Sequence, residues 1–244
     1  MQKIKKVSYQ IFGMTMLLFI AQGCAAQTEQ TRYGYLDSLK IQLQEKWPDN
    51  KTVNLVFHGH SVPSGYFVTP KVHSLSSYPY IVLQKVKENY PAAVVNTIVT
   101  AIGGEQSEQG AERFKEEVLT HRPDVLFIDY ALNDRSIGLE RAKMAWKRMI
   151  EDALAYGTKV VLLTPTPDLK EDILSSNLPL KMHSQQIRQL AQIYKVGLVD
   201  SYALFKEIAK TEELQLFMAQ KNHINENGHE VVASAIMGFL KNEN

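Results

Sequence analysis

The chain has 244 residues, 45% hydrophobic and 22% charged, a size and balance suited to one domain that buries a full core. Its 27 lysines and arginines against 26 acids leave a formal net charge of +1, which excludes the charge surplus of a nucleic-acid binder or a polyanion trap. The expected partner is small or neutral, and no nucleic acid is expected.

The N-terminus reads as an export signal over residues 1–26, with the globular domain over 27–244. Lys3, Lys5 and Lys6 form a positive start, and the apolar run from Ile11 to Ala21 is too short to span a bilayer comfortably. Ala21-Gln22-Gly23-Cys24 looks like a lipoprotein processing site without its usual leucine, and cleavage after Ala26 without lipidation is the alternative. Cys24 is the only cysteine, so no intrachain disulfide can form. Either route exports the protein, so it is expected in the periplasm, lipid-anchored or secreted. A membrane is a partner only through that N-terminal lipid.

Short apolar runs then alternate with helix-period segments, the pattern of a parallel α/β sheet. The predicted strands are Val53 to Phe57, Ala93 to Val99, Val125 to Asp129, Lys159 to Leu163 and Val196 to Asp200. All are rich in Val, Ile or Leu, as strands buried on both faces must be. The predicted helices are Tyr78 to Asn89, Gln109 to Thr120, Leu139 to Tyr156, Leu178 to Tyr194 and Asn225 to Lys241. The last would turn Val231, Val232, Ala235, Ile236 and Leu240 inward. The expected fold is a three-layer α/β/α sandwich around a five-stranded parallel sheet.

Ligands of such sheets bind beyond the carboxyl ends of the strands. His58-Gly59-His60-Ser61, Ile102-Gly103-Gly104-Glu105, Ala131-Leu132-Asn133-Asp134 and Thr164-Pro165-Thr166-Pro167-Asp168 follow the first four strands and gather polar residues and glycines at one edge. A serine hydroxyl needs a base to become a nucleophile and donors for the oxyanion that its attack creates. Ser61 lies in a sharp turn after Gly59, Gly104 can bring its N–H close to a substrate, Asn133 offers an amide donor, and His223 an imidazole that titrates near neutrality. Gly103 competes with Gly104 as the donor. The histidines at positions 58 and 60 lack the three or four converging ligands that zinc requires, so neither a metal nor another cofactor is expected.

Ser61, Gly104, Asn133 and His223, in this order and each on its own loop, resemble the SGNH/GDSL hydrolase family from about Val53 to Ala235. The family's Gly-Asp-Ser reads here Gly59-His60-Ser61, and its Gly-x-Asn-Asp reads Ala131-Leu132-Asn133-Asp134. Its Asp-x-x-His reads Gln220-Lys221-Asn222-His223, followed by Gly228-His229. The resemblance implies a flavodoxin-like SGNH fold and an acyl-enzyme on Ser61, with His223 as general base. It also implies an oxyanion hole made by the Ser61 and Gly104 N–H groups and the Asn133 side chain.

Three positions depart from the family pattern. His60 for Asp should alter the hydrogen bonding of the turn, and Ala131 for Gly narrows the accessible backbone angles. Gln220 stands where an aspartate would orient the histidine. A glutamine oxygen can hold the imidazole tautomer but stabilises the imidazolium only weakly. A Ser-His dyad is therefore expected, oriented by Gln220, by a backbone carbonyl, or by a carboxylate such as Asp200 or Asp134. By the same resemblance, the expected activity is removal of small acyl groups, acetyl above all, with carbohydrate the preferred substrate in the form of a small-molecule or polysaccharide ester. A lysophospholipase or short-chain lipase, a glycan-binding module that has lost hydrolysis, and an acyltransferase are the alternatives.

Overall fold

The computed structural model describes residues 34–241. The export segment, Cys24 and the 26/27 boundary lie outside the described residues. Five strands, β1 (Thr52–Gly59), β2 (Val94–Val99), β3 (Val125–Asp129), β4 (Lys159–Leu163) and β5 (Gly197–Val199), pair in parallel in the order β2-β1-β3-β4-β5. This is the flavodoxin-like order, in which the chain winds to one side of β1 and then the other and leaves a crevice where the direction reverses. The expected fold class is thus the observed one.

The helices are α1 (Asp37–Gln44), α2 (Ser61–Ser64), α3 (Tyr78–Asn89), α4 (Ser107–Glu112), α5 (Phe114–Glu117), α6 (Leu139–Ala155), α7 (Pro179–Tyr194), α8 (Ser201–Ile208) and α9 (Glu226–Leu240). An antiparallel pair, β6 (Met218–Gln220) and β7 (His223–Ile224), precedes α9.

Because side chains alternate across a strand, each central strand feeds two cores. Val53, Leu55 and Phe57 of β1, Val125 and Phe127 of β3, and Val161 and Leu163 of β4 face one layer. There they meet Leu39 and Leu43 of α1, Val82 and Val86 of α3, Phe205 of α8, and Val232, Ile236 and Leu240 of α9. The intervening residues Val56, Leu126, Ile128, Val160 and Leu162 meet Phe114, Trp146, Met149, Ile150, Ile187 and Leu190 on the other side. All five residues of β3 are buried, and the first four, Val125 to Ile128, read as an unbroken apolar run.

Several boundaries differ from the sequence expectation. The segment Gln109 to Thr120 is not one helix but α4, α5 and a 3-10 turn at Leu119–His121. Gly110 weakens helix formation there, and Arg113 leaves helical geometry at φ −93°, ψ 2° while its guanidinium bonds Glu105. Asp200 is not the last residue of a strand: it caps α8 by accepting from the Ala203 N–H at 3.2 Å. Helices α1 and α8 are only eight residues each, too short for periodicity to announce them.

Three histidines are buried in a form that resists protonation. Burial, with Arg113 adding repulsion, lowers His58 from 6.5 to about 3. Burial and the Arg135 charge lower His183 to about 4, and burial with His223 nearby lowers His229 to about 3. Between pH 6.5 and these values the unfolded chain binds protons that the native protein refuses, so stability falls as the solution is acidified. The urea midpoint is expected to decline steadily from pH 6.5 toward pH 4, with net proton uptake on unfolding. A flat profile across that window would contradict the neutral burial.

Candidate active site

The turn that carries Ser61 is fixed by the close approach of β1 to β3. A Cβ on Gly59 would lie 2.3 Å from the Asp129 carbonyl oxygen and 2.9 Å from Pro63 Cγ, so glycine is required there. The next residue, His60, donates its N–H to that same carbonyl at 3.2 Å. Its Nδ1 accepts from the Val62 N–H at 3.2 Å, capping α2. With Nδ1 accepting, Nε2 carries the hydrogen, and it lies 3.3 Å from Asp129 Oδ1, in an alignment too poor for a full hydrogen bond. The other carboxylate oxygen of Asp129 accepts from the Tyr78 hydroxyl at 3.0 Å. His60 thus shapes the nucleophile turn, and the acid in the turn's network comes from the end of β3.

His223 opens β7 one short turn before α9, whose N-terminus Asn225 caps by accepting from the Gly228 N–H. Its Nε2 is 2.9 Å from Ser61 Oγ. Its Nδ1 is 2.9 Å from the main-chain carbonyl oxygen of Phe67 and 2.8 Å from Nε2 of Gln220. The carbonyl only accepts, so that contact is a hydrogen bond in the tautomer with an Nδ1–H, which leaves Nε2 as a lone pair facing the Ser61 hydroxyl; the Gln220 contact is one in the other tautomer. The first is the tautomer a general base needs. Burial lowers the His223 pKa, the Phe67 carbonyl opposes that shift, and His60 adds to it.

The structure therefore brings a backbone carbonyl to the orienting position and turns the Gln220 oxygen elsewhere, to accept from the Thr69 N–H at 3.1 Å. The two carboxylates considered from sequence are also committed elsewhere. Asp200 pairs with Arg188, and Asp134 accepts from the Ser107 N–H at 2.8 Å and from Trp146 Nε1 at 2.7 Å.

Phe67 is positioned by a tight hairpin in which Tyr66 pairs with Val72 and the Phe67 N–H donates to the Lys71 carbonyl. Its ring stacks between His73 at 4.8 Å and His229 at 5.1 Å. His229 also accepts from the Tyr78 N–H at the start of α3, so it caps that helix.

Opposite the histidine, the loop 101–106 is pinned to the nucleophile turn. The Ile102 N–H donates to the Gly59 carbonyl at 3.0 Å, and Ser64 Oγ to the Ala101 carbonyl at 2.9 Å. Gly104 adopts φ +82° with nothing within 4 Å of a hypothetical Cβ, so glycine serves there for its backbone angle and not for space. Asn133 spends one amide hydrogen on the Glu105 carbonyl at 2.9 Å and keeps its second. Three loops bearing Ser61, Gly104 and Asn133 are in this way tied into one edge.

Behind the loop lies a buried polar network. Glu105 receives two bonds from Arg113, at 2.7 and 2.6 Å, and one from the Tyr130 hydroxyl at 2.6 Å. His58 Nε2 lies 3.1 Å from that hydroxyl, and its Nδ1 lies 2.9 Å from Thr100 Oγ1. Burial and the Glu105 carboxylate push Tyr130 well above its usual range, which keeps it a donor. Asp134 is raised by burial, while the Ser107 N–H and Trp146 pull against that shift.

Sequence reasoning had not singled out Phe67 as the orienting residue, because a main-chain carbonyl leaves no mark in the sequence. Glu105 lay within the second loop and Asp129 at the end of a strand, where buried acids could have been suspected. Tyr66, whose ring lies 6.0 Å from that of His223 and against Gly103, flanks the site. Among the described residues no group of three or more His, Cys, Asp or Glu is placed to hold a metal ion, and no helix is long and apolar enough to cross a membrane.

Fold and site together define the class, a serine-type carboxylic ester hydrolase on the SGNH variant of the flavodoxin-like sheet. The chain belongs to the GDSL-like lipase/acylhydrolase family, which it matches over residues 57–231. Axe2, an acetylxylan esterase from Geobacillus stearothermophilus, shares the fold with a TM-score of 0.68 at 19% identity, over 78% of this chain and 95% of that one. A two-domain esterase active on acetylated mannans shares it with a TM-score of 0.69 at 21% identity, over 86% of this chain and 53% of that one. No curated protein matches the chain by sequence.

Trp146 links this network to the core, since its indole N–H is one of the bonds to the buried Asp134 carboxylate. Trp146→Phe keeps most of the apolar packing but leaves that oxygen without its donor. The expected cost is about 1–3 kcal/mol in urea unfolding. Esterase turnover should fall as well, because Asp134 anchors the segment that follows Gly104. Unchanged stability would show that the bond is dispensable.

Proposed function

We propose that the chain is a carbohydrate esterase that removes acetyl groups through an acyl-enzyme on Ser61. The observation that carries this reading is the 2.9 Å contact between Ser61 Oγ and His223 Nε2, with Nδ1 held on the Phe67 carbonyl. His223 takes the hydroxyl proton as Oγ attacks the ester carbonyl, and the new C–O bond converts the carbonyl oxygen to an oxyanion. The N–H groups of Ser61 and Gly104 and the free hydrogen of Asn133 serve as donors to that oxyanion. Collapse expels the sugar alkoxide, which leaves with the proton from His223. Water then repeats the sequence on the acyl-enzyme, releasing acetate and restoring Ser61.

The carbohydrate substrate is supported by two neighbours of the same fold, one an acetylxylan esterase and one active on acetylated mannans. Action outside the cytoplasm, with or without a lipid on Cys24, is supported by the basic and apolar N-terminus. A second reading, a lysophospholipase or short-chain lipase, is favoured by the exposed apolar side chains of Val68, Val72 and Ile102, which neighbour residues of the site.

Three measurements test these assignments. A serine-reactive phosphonate should label the wild type and leave Ser61→Ala unlabelled, and failure to label the wild type would favour a binding module. Asn133→Ala should lower kcat about 100-fold or more if its amide is an oxyanion donor. Acetylated xylo- or manno-oligosaccharides should release acetate faster than lysophospholipid releases fatty acid. Hydrolysis of lysophospholipid alone would overturn the carbohydrate assignment.

A further inference from the structure

His223 Nδ1 has two neighbours of opposite hydrogen-bonding character. The Phe67 carbonyl, at 2.9 Å, can bond only the tautomer with hydrogen on Nδ1. The Gln220 amide nitrogen, at 2.8 Å, can bond only the tautomer in which Nδ1 is a lone pair. In that second form Nε2 carries the hydrogen and points it at Ser61 Oγ, so the serine proton has nowhere to go. Which partner prevails decides whether the dyad is competent.

The surroundings of Gln220 bias the competition. Its Oε1 faces the Thr69 N–H at 3.1 Å, and because a backbone N–H can only donate, the amide is oriented with its oxygen there. Two acceptors compete with Nδ1 for the hydrogens on Nε2, namely Thr69 Oγ1 and Asn222 Oδ1, each at 3.2 Å. These two acceptors draw the amide hydrogens away from His223 Nδ1, although that contact is the shortest of the three at 2.8 Å. The same two contacts to Thr69 tie β6 to the exposed hairpin that carries the Phe67 carbonyl.

Resting on the dyad reading above, we propose that Thr69 and Gln220 are positioning residues that set the His223 tautomer. Thr69 draws an amide hydrogen away from Nδ1 and, through the clamp, keeps the Phe67 carbonyl in reach of it. Gln220 is then neither a substitute for the missing aspartate nor a neutral bystander. It is a donor that would silence the base if it were released.

Thr69→Val tests this directly, since it removes the Oγ1 acceptor from an exposed loop position and leaves the backbone N–H in place. The expected result is a fall in kcat of about fivefold to tenfold, the size of one hydrogen bond, with KM little changed. The 15N shifts of the His223 imidazole should move toward the form protonated at Nε2. Gln220→Glu keeps an oxygen for the Thr69 N–H and puts another where the amide hydrogens were, so the pair Thr69→Val with Gln220→Glu should recover turnover. In Gln220→Glu alone the pKa of the acid limb of kcat/KM should rise, because a carboxylate beside Nδ1 favours the imidazolium.

Wild-type kcat and shifts in Thr69→Val would overturn the proposal. So would a loss of turnover with the tautomer intact, or one that Gln220→Glu fails to rescue. Full activity in His223→Ala would instead remove the dyad reading itself, which separates the two failures.

Discussion

The hydrogen bond from His223 Nδ1 to the Phe67 carbonyl is the constraint on which the chemistry of the site turns. A histidine near a serine is only a base if the nitrogen that faces the hydroxyl is bare, and a fixed acceptor on the other nitrogen favours that tautomer. Here the acceptor is part of the backbone, so its position is set by the hairpin from Tyr66 to Val72 and not by a rotamer. The ring of Phe67 between His73 and His229, and the pairing of Thr69 with Gln220, are the structural supports of that carbonyl. Much of what looks like ordinary loop packing after the nucleophile is therefore tied to the base on the far side of the sheet edge.

The oxyanion side is supported differently, by buried charge. Glu105 holds the loop of Gly104 through Arg113 and Tyr130, while its own carbonyl holds Asn133, so one residue serves two donors by side chain and main chain. Asp134 joins the same region to the core through Trp146. Buried carboxylates of this kind are costly unless fully bonded. Here that cost is offset by the bonds from Arg113 and Tyr130 to Glu105 and from Ser107 and Trp146 to Asp134, and in the proposed mechanism the loops so held must already be in position when charge develops on the substrate.

The sequence carried the sheet well because its central strands, β1, β3 and β4, are buried on both faces, and such runs of Val, Ile and Leu have few other uses. It also indicated that Ser61, Gly104, Asn133 and His223 lie at one edge, since each follows a strand or shortly precedes the last helix, where topology alone places residues there. What it could not carry were relations between main-chain atoms and distant side chains. Phe67 acts through an oxygen that every residue possesses. Gln220 has the right place beside His223, but its amide orientation depends on Thr69, 151 residues away in the chain. The break at Arg113 likewise follows from its bonds to Glu105, a tertiary demand that overrides an amphipathic pattern.

The two departures from the family pattern that flank the base, His60 and Gln220, share an electrostatic sign, since each puts an uncharged or basic group where an acid stands in the family. Asp129 restores a carboxylate to the nucleophile turn, but against His60 and Tyr78 and not against His223. On the proposed mechanism, the imidazolium that forms when Ser61 attacks is therefore held by a neutral carbonyl, in a buried site where His60 opposes it. A histidine of lowered pKa is a weaker base toward serine and a stronger acid toward the departing alkoxide. The two effects fall on different steps. Such a base gives up least when expulsion of a poor leaving group is the harder step, and the alkoxide of a sugar hydroxyl is a poor leaving group. On the dyad mechanism, the altered motif and the proposed carbohydrate ester are thus mutually consistent.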